Sequence, residues 1–307
     1  MKKTLPYIAV IVAMIIWSGS GIAVKAALNS FAPLTLVLSR FTFGVLLMLA
    51  IGLIANRTTS SNSILRLQPV EKQHIWFFVL GGVFEPFLYF IFETYSYKLF
   101  ATPTIAEAFL STNPLIAPVF AFFFLREKVT FWNILGILVS TGGMLLLVLA
   151  GNDSFVLGSV WAIPLSLITV CMAVAYSIIL KKVPKQYSSL TTVFWMDVFA
   201  LCMFYLVAGA KAILNPHAVW LVSEISGAAV GGVSYLAVLS TVTAFILFCY
   251  SVRFLGVTKA NIFNNIRPVF TALIMLCFFH EHMPLLKWIG IGIIVIGLFI
   301  CQKRGKK

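Results

Sequence analysis

A group of polar side chains lies inside the long apolar stretch 258–279, where polar residues are not expected. Asn261, Asn264, Asn265 and Arg267 fall on an arc of about 160° when the stretch is drawn as a helix at 100° per residue. A guanidinium offers five donors in a planar fork, which suits a carboxylate or a phosphate. Amide side chains complement it because they both donate and accept hydrogen bonds. This face therefore predicts a binding site for a small polar molecule.

Glu85 is a second candidate, because it lies deep inside the apolar stretch 75–97. At 1.5 Å per residue it is ~15 Å from the start of the stretch, about half of a ~30 Å hydrocarbon core. Pro86 follows it and predicts a distorted backbone. A carboxyl group at that depth must hold a proton or pair with a cation. Glu85 is therefore either a proton-coupling group or the partner of Arg267 in a static salt bridge.

Other polar or aromatic residues within apolar stretches extend the candidate site. Arg40 and Asp197 each lie ~10 Å into their stretches and could form a gate ion pair or contact substrate. Glu107 joins them as a group for proton coupling or ion pairing. Trp17 either packs in the interior or stacks on a substrate.

Motifs for hydrolysis, metal binding and nucleotide binding are missing from the sequence. It has no Gly-x-Ser-x-Gly, no His-Glu-x-x-His and no phosphate-binding Gly-rich loop. His280-Glu281-His282 is better explained as a polar turn before Pro284 than as a metal cluster. We therefore expect no enzyme activity, no cofactor, no metal and no ATP-driven step.

The elements that must position these residues follow from composition. Of 307 residues, 61% are hydrophobic and 10% charged, with a mean hydropathy of +1.03, which excludes a soluble globular domain. The sequence predicts an all-α membrane protein with ten transmembrane helices. The predicted spans are 5–28, 33–55, 75–97, 104–125, 131–150, 157–180, 190–210, 228–252, 258–279 and 285–302.

The distribution of Lys and Arg predicts the orientation in the membrane. With ten spans, sixteen of these residues fall on the side of the amino terminus and four on the other, while Arg40 and Arg267 lie within spans. This bias places both termini in the cytoplasm, in a cell (inner) membrane. The net charge of +13 then reflects orientation and contact with anionic lipids. Because no basic-aromatic stripe is present, nucleic acid is not an expected partner.

An internal repeat divides the chain into two halves, predicted at 1–152 and 153–307. Residues 104–148 align with 258–302 at a constant offset of 154, with Pro114/Pro268, Glu127/Glu281, Gly136/Gly290 and Gly143/Gly297 among the identities. Each half has five spans, an odd number, so the two halves form inverted-topology repeats. The glycines, seven apart, predict close packing of the fifth and tenth helices.

The repeat also pairs the polar faces of the fourth and ninth spans. The mates of Asn261, Asn264, Asn265 and Arg267 are Glu107, Leu110, Ser111 and Asn113. Arg267 and Asn113 each lie ~13.5 Å into their spans from opposite sides, near the midplane. The predicted substrate site therefore lies between the halves, on Arg267, Asn113, Asn264, Asn265, Ser111, Asn261 and Trp17.

Three motifs stand out along the chain. They are Trp17-Ser-Gly-Ser-Gly-x-x-x-Lys25, Pro33 with Arg40-Phe41, and a proline followed by an apolar run that ends in Glu, at Pro114…Glu127 and Pro268…Glu281. Together with the ten spans and the repeat, they resemble the drug/metabolite transporter superfamily, in its EamA-type branch. We expect Glu127 and Glu281 to complement the dipole of the helix that follows each of them.

The resemblance implies a ten-helix secondary transporter that works by alternating access. It favours export of small polar metabolites such as amino acids, by a monomer or a homodimer. The alternatives are a passive facilitator or channel for small solutes, or a transporter of drugs or nucleotide-linked metabolites.

Overall fold

The computed structural model describes residues 4–58, 63–101, 103–110, 112–150, 158–215, 220–279 and 284–302. Within these ranges the chain is helical, and β-pairing is limited to the isolated bridges Phe31–Leu221 and Phe100–Gly158. The predicted all-α architecture is confirmed.

Ten helical spans follow one another along the described chain. They are α1 (Leu5–Leu28), α2 (Pro33–Thr58), α3 (Lys72–Leu99), α4 (Pro103–Leu110 and Asn113–Leu125), α5 (Phe131–Leu149), α6 (Ala162–Lys182), α7 (Ser189–Leu214), α8 (Gly227–Leu255), α9 (Val257–Asn261, Ile262–Ile266 and Arg267–Phe279) and α10 (Leu285–Gln302). Seven are long and apolar enough to cross a membrane, and α4, α5 and α10 contain shorter apolar helices. Pro33 and Pro103 stand at the first positions of their helices, where the missing N–H costs little.

The helices α3 and α8 are interrupted at equivalent positions of the two repeats. In α3 a π-helical segment covers Val83–Leu88, and in α8 another covers Leu236–Ala244. Glu85 departs from helical geometry, with φ −146° and ψ 116°, so the predicted distortion beside Pro86 is present. Tyr95-Ser96 matches Tyr250-Ser251 at an offset of 155, and the same offset pairs Glu85 with Ser240. Such π segments are frequent at functional sites.

The helices α4 and α9 are also broken at matching points. The second segment of α4 begins at Asn113 and the last segment of α9 begins at Arg267, and these two residues are repeat mates. A proline follows each of them, and because proline has no N–H it is tolerated at a helix start but not in a continuous helix. In each repeat an α-helical segment therefore starts inside the span, at Asn113 in α4 and, directly after the 3-10 segment, at Arg267 in α9.

Close packing of α5 against α10 joins the two repeats. A Cβ atom added at Gly136 would lie 2.4 Å from the backbone nitrogen of Cys301, and one added at Gly297 would lie 2.4 Å from that of Ser140. The helix backbones touch at these positions, which only glycine permits. The predicted role of these glycines is confirmed.

Candidate functional site

A cavity lies between the two repeats, at the level of the helix interruptions. Its lining includes Trp17, Ser20, Arg40, Glu85, Tyr89, Phe90, Glu93 and Asn113 from the first repeat and Ala173, Ser177, Ser240, Phe245, Phe248, Asn261, Asn264 and Arg267 from the second. The free space among them is about 20 Å³, room for roughly one water molecule. The lining side chains therefore pack against one another and leave no room for a larger molecule.

Arg40 ties three helices together at this cavity. Its Nε donates to Thr241 Oγ1 at 2.7 Å and its Nη2 donates to Ser240 Oγ at 2.8 Å, both on the π segment of α8. Its Nη1 lies 3.9 Å from Glu93 Oε2 on α3, and the guanidinium lies 4.1 Å from the centre of the Phe90 ring. Arg40 is only 3% exposed, so these contacts replace its hydration.

The carboxylates of the cavity, Glu85 and Glu93, lie near the guanidinium groups of Arg40 and Arg267. Glu93 Oε1 accepts a hydrogen bond from the Tyr89 hydroxyl at 3.0 Å. Glu85 is 6% exposed and interacts electrostatically with Arg267 and Arg40, and with the negative charge of Glu93. Two guanidinium groups and two carboxylates therefore lie around one small space, so the site can meet both signs of charge on a ligand.

Ser240, the repeat mate of Glu85, organises the opposite wall. Its carbonyl accepts from Trp17 Nε1 at 3.2 Å, and its hydroxyl accepts from Ser20 Oγ at 3.0 Å. A π segment leaves backbone carbonyls out of regular helical pairing, which makes them available to side chains such as Trp17. The two π segments thus present a carboxylate on one wall and a hydroxyl and a carbonyl on the other.

The half-helices of α4 and α9 begin at the cavity. Asn113 and Arg267 both line it and are 5% and 4% exposed. The amino terminus of a helix carries a partial positive charge, and Asn113, at the start of the second segment of α4, lines the same cavity as Arg267. Arg267 also lies 5.9 Å from the centre of the Trp17 ring. This end of the cavity is suited to a carboxylate or a phosphate.

The structure brings most of the predicted site residues together. The cavity is lined by Trp17, Arg40, Glu85, Asn113, Asn261, Asn264 and Arg267. Asp197 is buried, 1% exposed, and interacts electrostatically with Arg40 without lining the cavity. Ser111 lies outside the described residues, and so does the side chain of Glu107.

Asn265 does not reach the cavity. Its Nδ2 donates to Ser140 Oγ on α5 at 2.6 Å. The prediction placed it on the polar face by assuming 100° per residue, but Ile262–Ile266 forms a 3-10 helix, which turns by about 120° per residue. The tighter winding rotates Asn265 away from Asn261 and Asn264.

Nine of the sixteen lining residues were not among the predicted site residues, and five of the nine are polar, namely Ser20, Tyr89, Glu93, Ser177 and Ser240. Glu93 lies about one turn from the predicted end of the third span, where it could have reached water, but it is 3% exposed. The offset of 155 pairs Ser240 with Glu85 and would have identified it.

Glu127 caps a different helix from the predicted one. Its Oε1 accepts from the backbone N–H of Val257 at 3.1 Å, and its Oε2 accepts from the N–H and the hydroxyl of Thr258 at 3.4 and 3.2 Å. The following helix, α5, is capped by Thr130 and Asn133 instead. Glu127 of the first repeat therefore holds the start of α9 in the second. Glu281 lies outside the described residues.

Comparisons with known proteins agree with this architecture. The model of the EamA-like transporter family matches residues 4–149 and again residues 160–301. The Uncharacterized transporter YetK of Bacillus subtilis (strain 168) is 23% identical over 240 residues, which cover 78% of this chain and 71% of that protein. An Uncharacterized transporter of Archaeoglobus fulgidus is 20% identical over 306 residues, 99% of this chain and 100% of that protein.

A protein of known crystal structure has the same fold. It superimposes with a TM-score of 0.69 at 22% sequence identity, over 97% of this chain and 96% of its own. Together with the two matches to the family model, the interrupted helices and the cavity between the repeats, this identifies the protein as a multi-pass membrane transporter. The chain belongs to the EamA-like transporter family.

Proposed function

We propose that the protein is a secondary active transporter that exports small polar metabolites such as amino acids by alternating access. The observation that supports this most strongly is the buried cavity between the repeats, in which Arg40 and Arg267 face Glu85 and Glu93. Burying a charge in a membrane is costly, so charged groups there have a functional role by default.

The arrangement of charge favours a substrate with both an acidic and a basic group. The helix start at Asn113 and the guanidinium of Arg267 provide the positive charge and the donors for a carboxylate. The carboxylates of Glu85 and Glu93 can accept hydrogen bonds from an ammonium group. Trp17 and Phe245, whose ring centres are 5.1 Å apart, supply apolar contact area for a side chain.

The small volume of the cavity favours alternating access over a static pore. A free space of about 20 Å³ cannot hold a metabolite, so the repeats must separate for binding. The Glu127–Thr258 contact joins the repeats on the side that carries the excess of Lys and Arg, so it must open on that side. By the same symmetry, opening on each side in turn moves the substrate across.

We also propose the group that couples transport to protons and the orientation of the protein in the membrane. In this proposal Glu85 is the proton-coupling group, because it is a buried carboxyl group that lines the cavity in the interrupted part of α3. We place the protein in the inner membrane with both termini in the cytoplasm, on the bias of sixteen basic residues against four.

The main rival is a passive facilitator or channel for the same solutes. The test is counterflow in proteoliposomes preloaded with unlabelled amino acids and diluted into a labelled amino acid mixture. A carrier gives saturable uptake with a transient accumulation of label above its equilibrium level. Uptake that rises linearly with concentration and shows no such accumulation would favour the channel. Counterflow of labelled nucleotides or cationic drugs, with none of amino acids, would move the substrate class to those alternatives.

A further inference from the structure

A second cavity shares no lining residue with the cavity between the repeats. Its volume is about 520 Å³, within the usual range of about 300–1,000 Å³ for ligand sites. It is formed where α6 leads into α7, at the end of α8, and beside the connection between α2 and α3. Its lining includes Gln68, Lys185, Ser188, Tyr250, Arg253 and Phe254. The lining holds two cations and, among the described residues, no Asp or Glu.

Arg253 forms the fixed part of this cavity. Its Nη1 donates to the Tyr187 carbonyl, and its Nη2 donates to Thr192 Oγ1 at 2.5 Å. Its Nε has no hydrogen-bond partner among the described residues. These two bonds use two of the five N–H donors of a guanidinium. The protein therefore holds the guanidinium in place without saturating it.

Neighbouring groups make the surroundings of Arg253 more positive. Lys181 Nζ donates to the Arg253 carbonyl at 2.9 Å, and Lys185 is exposed at the rim. Ser188 is the N-cap of the 26-residue helix α7, so the positive end of that helix also meets the cavity. Two carboxylates lie on this side. Glu71 is engaged by Gln186 at 2.9 Å and by Gln73 at 2.6 Å. Glu127 interacts with Lys181 and accepts hydrogen bonds from the start of α9.

The remaining wall of the cavity is aromatic and faces outward from the helix bundle. The rings of Tyr250 and Phe254 are 4.7 Å apart, and Phe254 is 66% exposed. They belong to the last turns of α8, where a spanning helix meets the headgroup region. A ligand here would meet basic donors on one side and an apolar surface that faces lipid on the other.

We propose that this cavity binds the phosphate group of an anionic phospholipid. Basic pockets between transmembrane helices on the positively charged side of a membrane protein recognise such headgroups. Arg253 and Lys185 would contact the phosphate, and Tyr250 and Phe254 would lie along the upper part of the acyl chains. The proposal goes beyond transport, because its residues take no part in the cavity between the repeats.

The test uses the full-length protein purified in detergent and titrated with phosphatidylglycerol or phosphatidylcholine, with bound lipid counted by native mass spectrometry. We expect phosphatidylglycerol to bind about tenfold more tightly, because only it adds net negative charge. Lys185→Gln should weaken that binding about fivefold, and Arg253→Gln should weaken it further. The matched control is Lys182→Gln, which removes an exposed lysine outside the cavity and should leave the affinity unchanged.

A comparison with inorganic phosphate shows whether the cavity binds the phosphate of a lipid headgroup or a soluble phosphate. The second measurement is thermal stabilisation by inorganic phosphate and by phosphatidylglycerol. If phosphate alone stabilises the protein as much as phosphatidylglycerol does, and Lys185→Gln removes the stabilisation by either one, the site binds a soluble phosphate and the lipid assignment is wrong. Equal phosphatidylglycerol affinity in Lys185→Gln and Lys182→Gln would overturn the site altogether. Lys185 is exposed, so this comparison stays valid even if Arg253→Gln fails to fold.

Discussion

Arg267→Gln is expected to lower substrate affinity by about tenfold to hundredfold, because a hydrogen bond to a charged group contributes about 1.5–3 kcal/mol. Arg267 lines the cavity beside Trp17, and the helix start at Asn113 lines the same cavity, so the guanidinium and that helix terminus can act on one carboxylate. Arg267→Lys keeps the charge but loses the planar fork, and should show an intermediate loss.

The measurement is ligand-induced thermal stabilisation by individual amino acids at fixed pH, followed by titration of those that bind. Arg57→Gln is the matched control, since Arg57 lies in the last turn of α2 and is exposed. Unchanged affinity in both Arg267 variants, with Arg267→Gln only less stable, would mean that Arg267 is structural and merely balances Glu85.

Glu85→Gln is expected to abolish the response of transport to a pH gradient while the protein still folds. Glutamine has nearly the same shape as glutamate but cannot bind or release a proton. Glu85 is 6% exposed and lies in the interrupted part of α3, within the field of Arg267 and Arg40. A change in its protonation therefore changes the charge balance of the whole cavity.

The assay compares transport into proteoliposomes with and without an imposed pH gradient, and size-exclusion profiles report folding. Glu224→Gln, at an exposed position, is the control and should behave as the unmodified protein. If the gradient still drives Glu85→Gln, a different group carries the proton or the coupling ion is not H⁺.

The elements of the fold could be predicted because each depends on a local or repeated signal. The length of the apolar stretches predicted the ten spans, and the helices at Pro33 and Pro103 begin within one residue of the predicted starts at 33 and 104. The offset of 154 paired Gly143 with Gly297, and the structure shows both in close backbone contacts of α5 with α10. These features need only hydrophobicity, backbone chemistry and the repeat.

The side-chain partners could not be predicted because they depend on local winding and on contacts between distant segments. Asn265 turns toward Ser140 because a 3-10 segment replaces the expected α-helix. Arg40 lies beside Glu93 at 3.9 Å, a pairing between α2 and α3 that spacing along the sequence does not reveal. Glu127 accepts a hydrogen bond from Val257 of the second repeat, a contact between segments that are 130 residues apart in the sequence.

The most direct test of the account is a reversible crosslink across the contact between the repeats. Glu127→Cys combined with Thr258→Cys places two thiols where the carboxylate and the hydroxyl now lie 3.2 Å apart. A short bifunctional methanethiosulfonate joins them, and each single variant treated in the same way controls for the native cysteines. If the repeats must separate here for substrate to pass, crosslinking abolishes amino acid counterflow and reduction restores it. Counterflow that persists at full rate in fully crosslinked protein would contradict alternating access between the repeats.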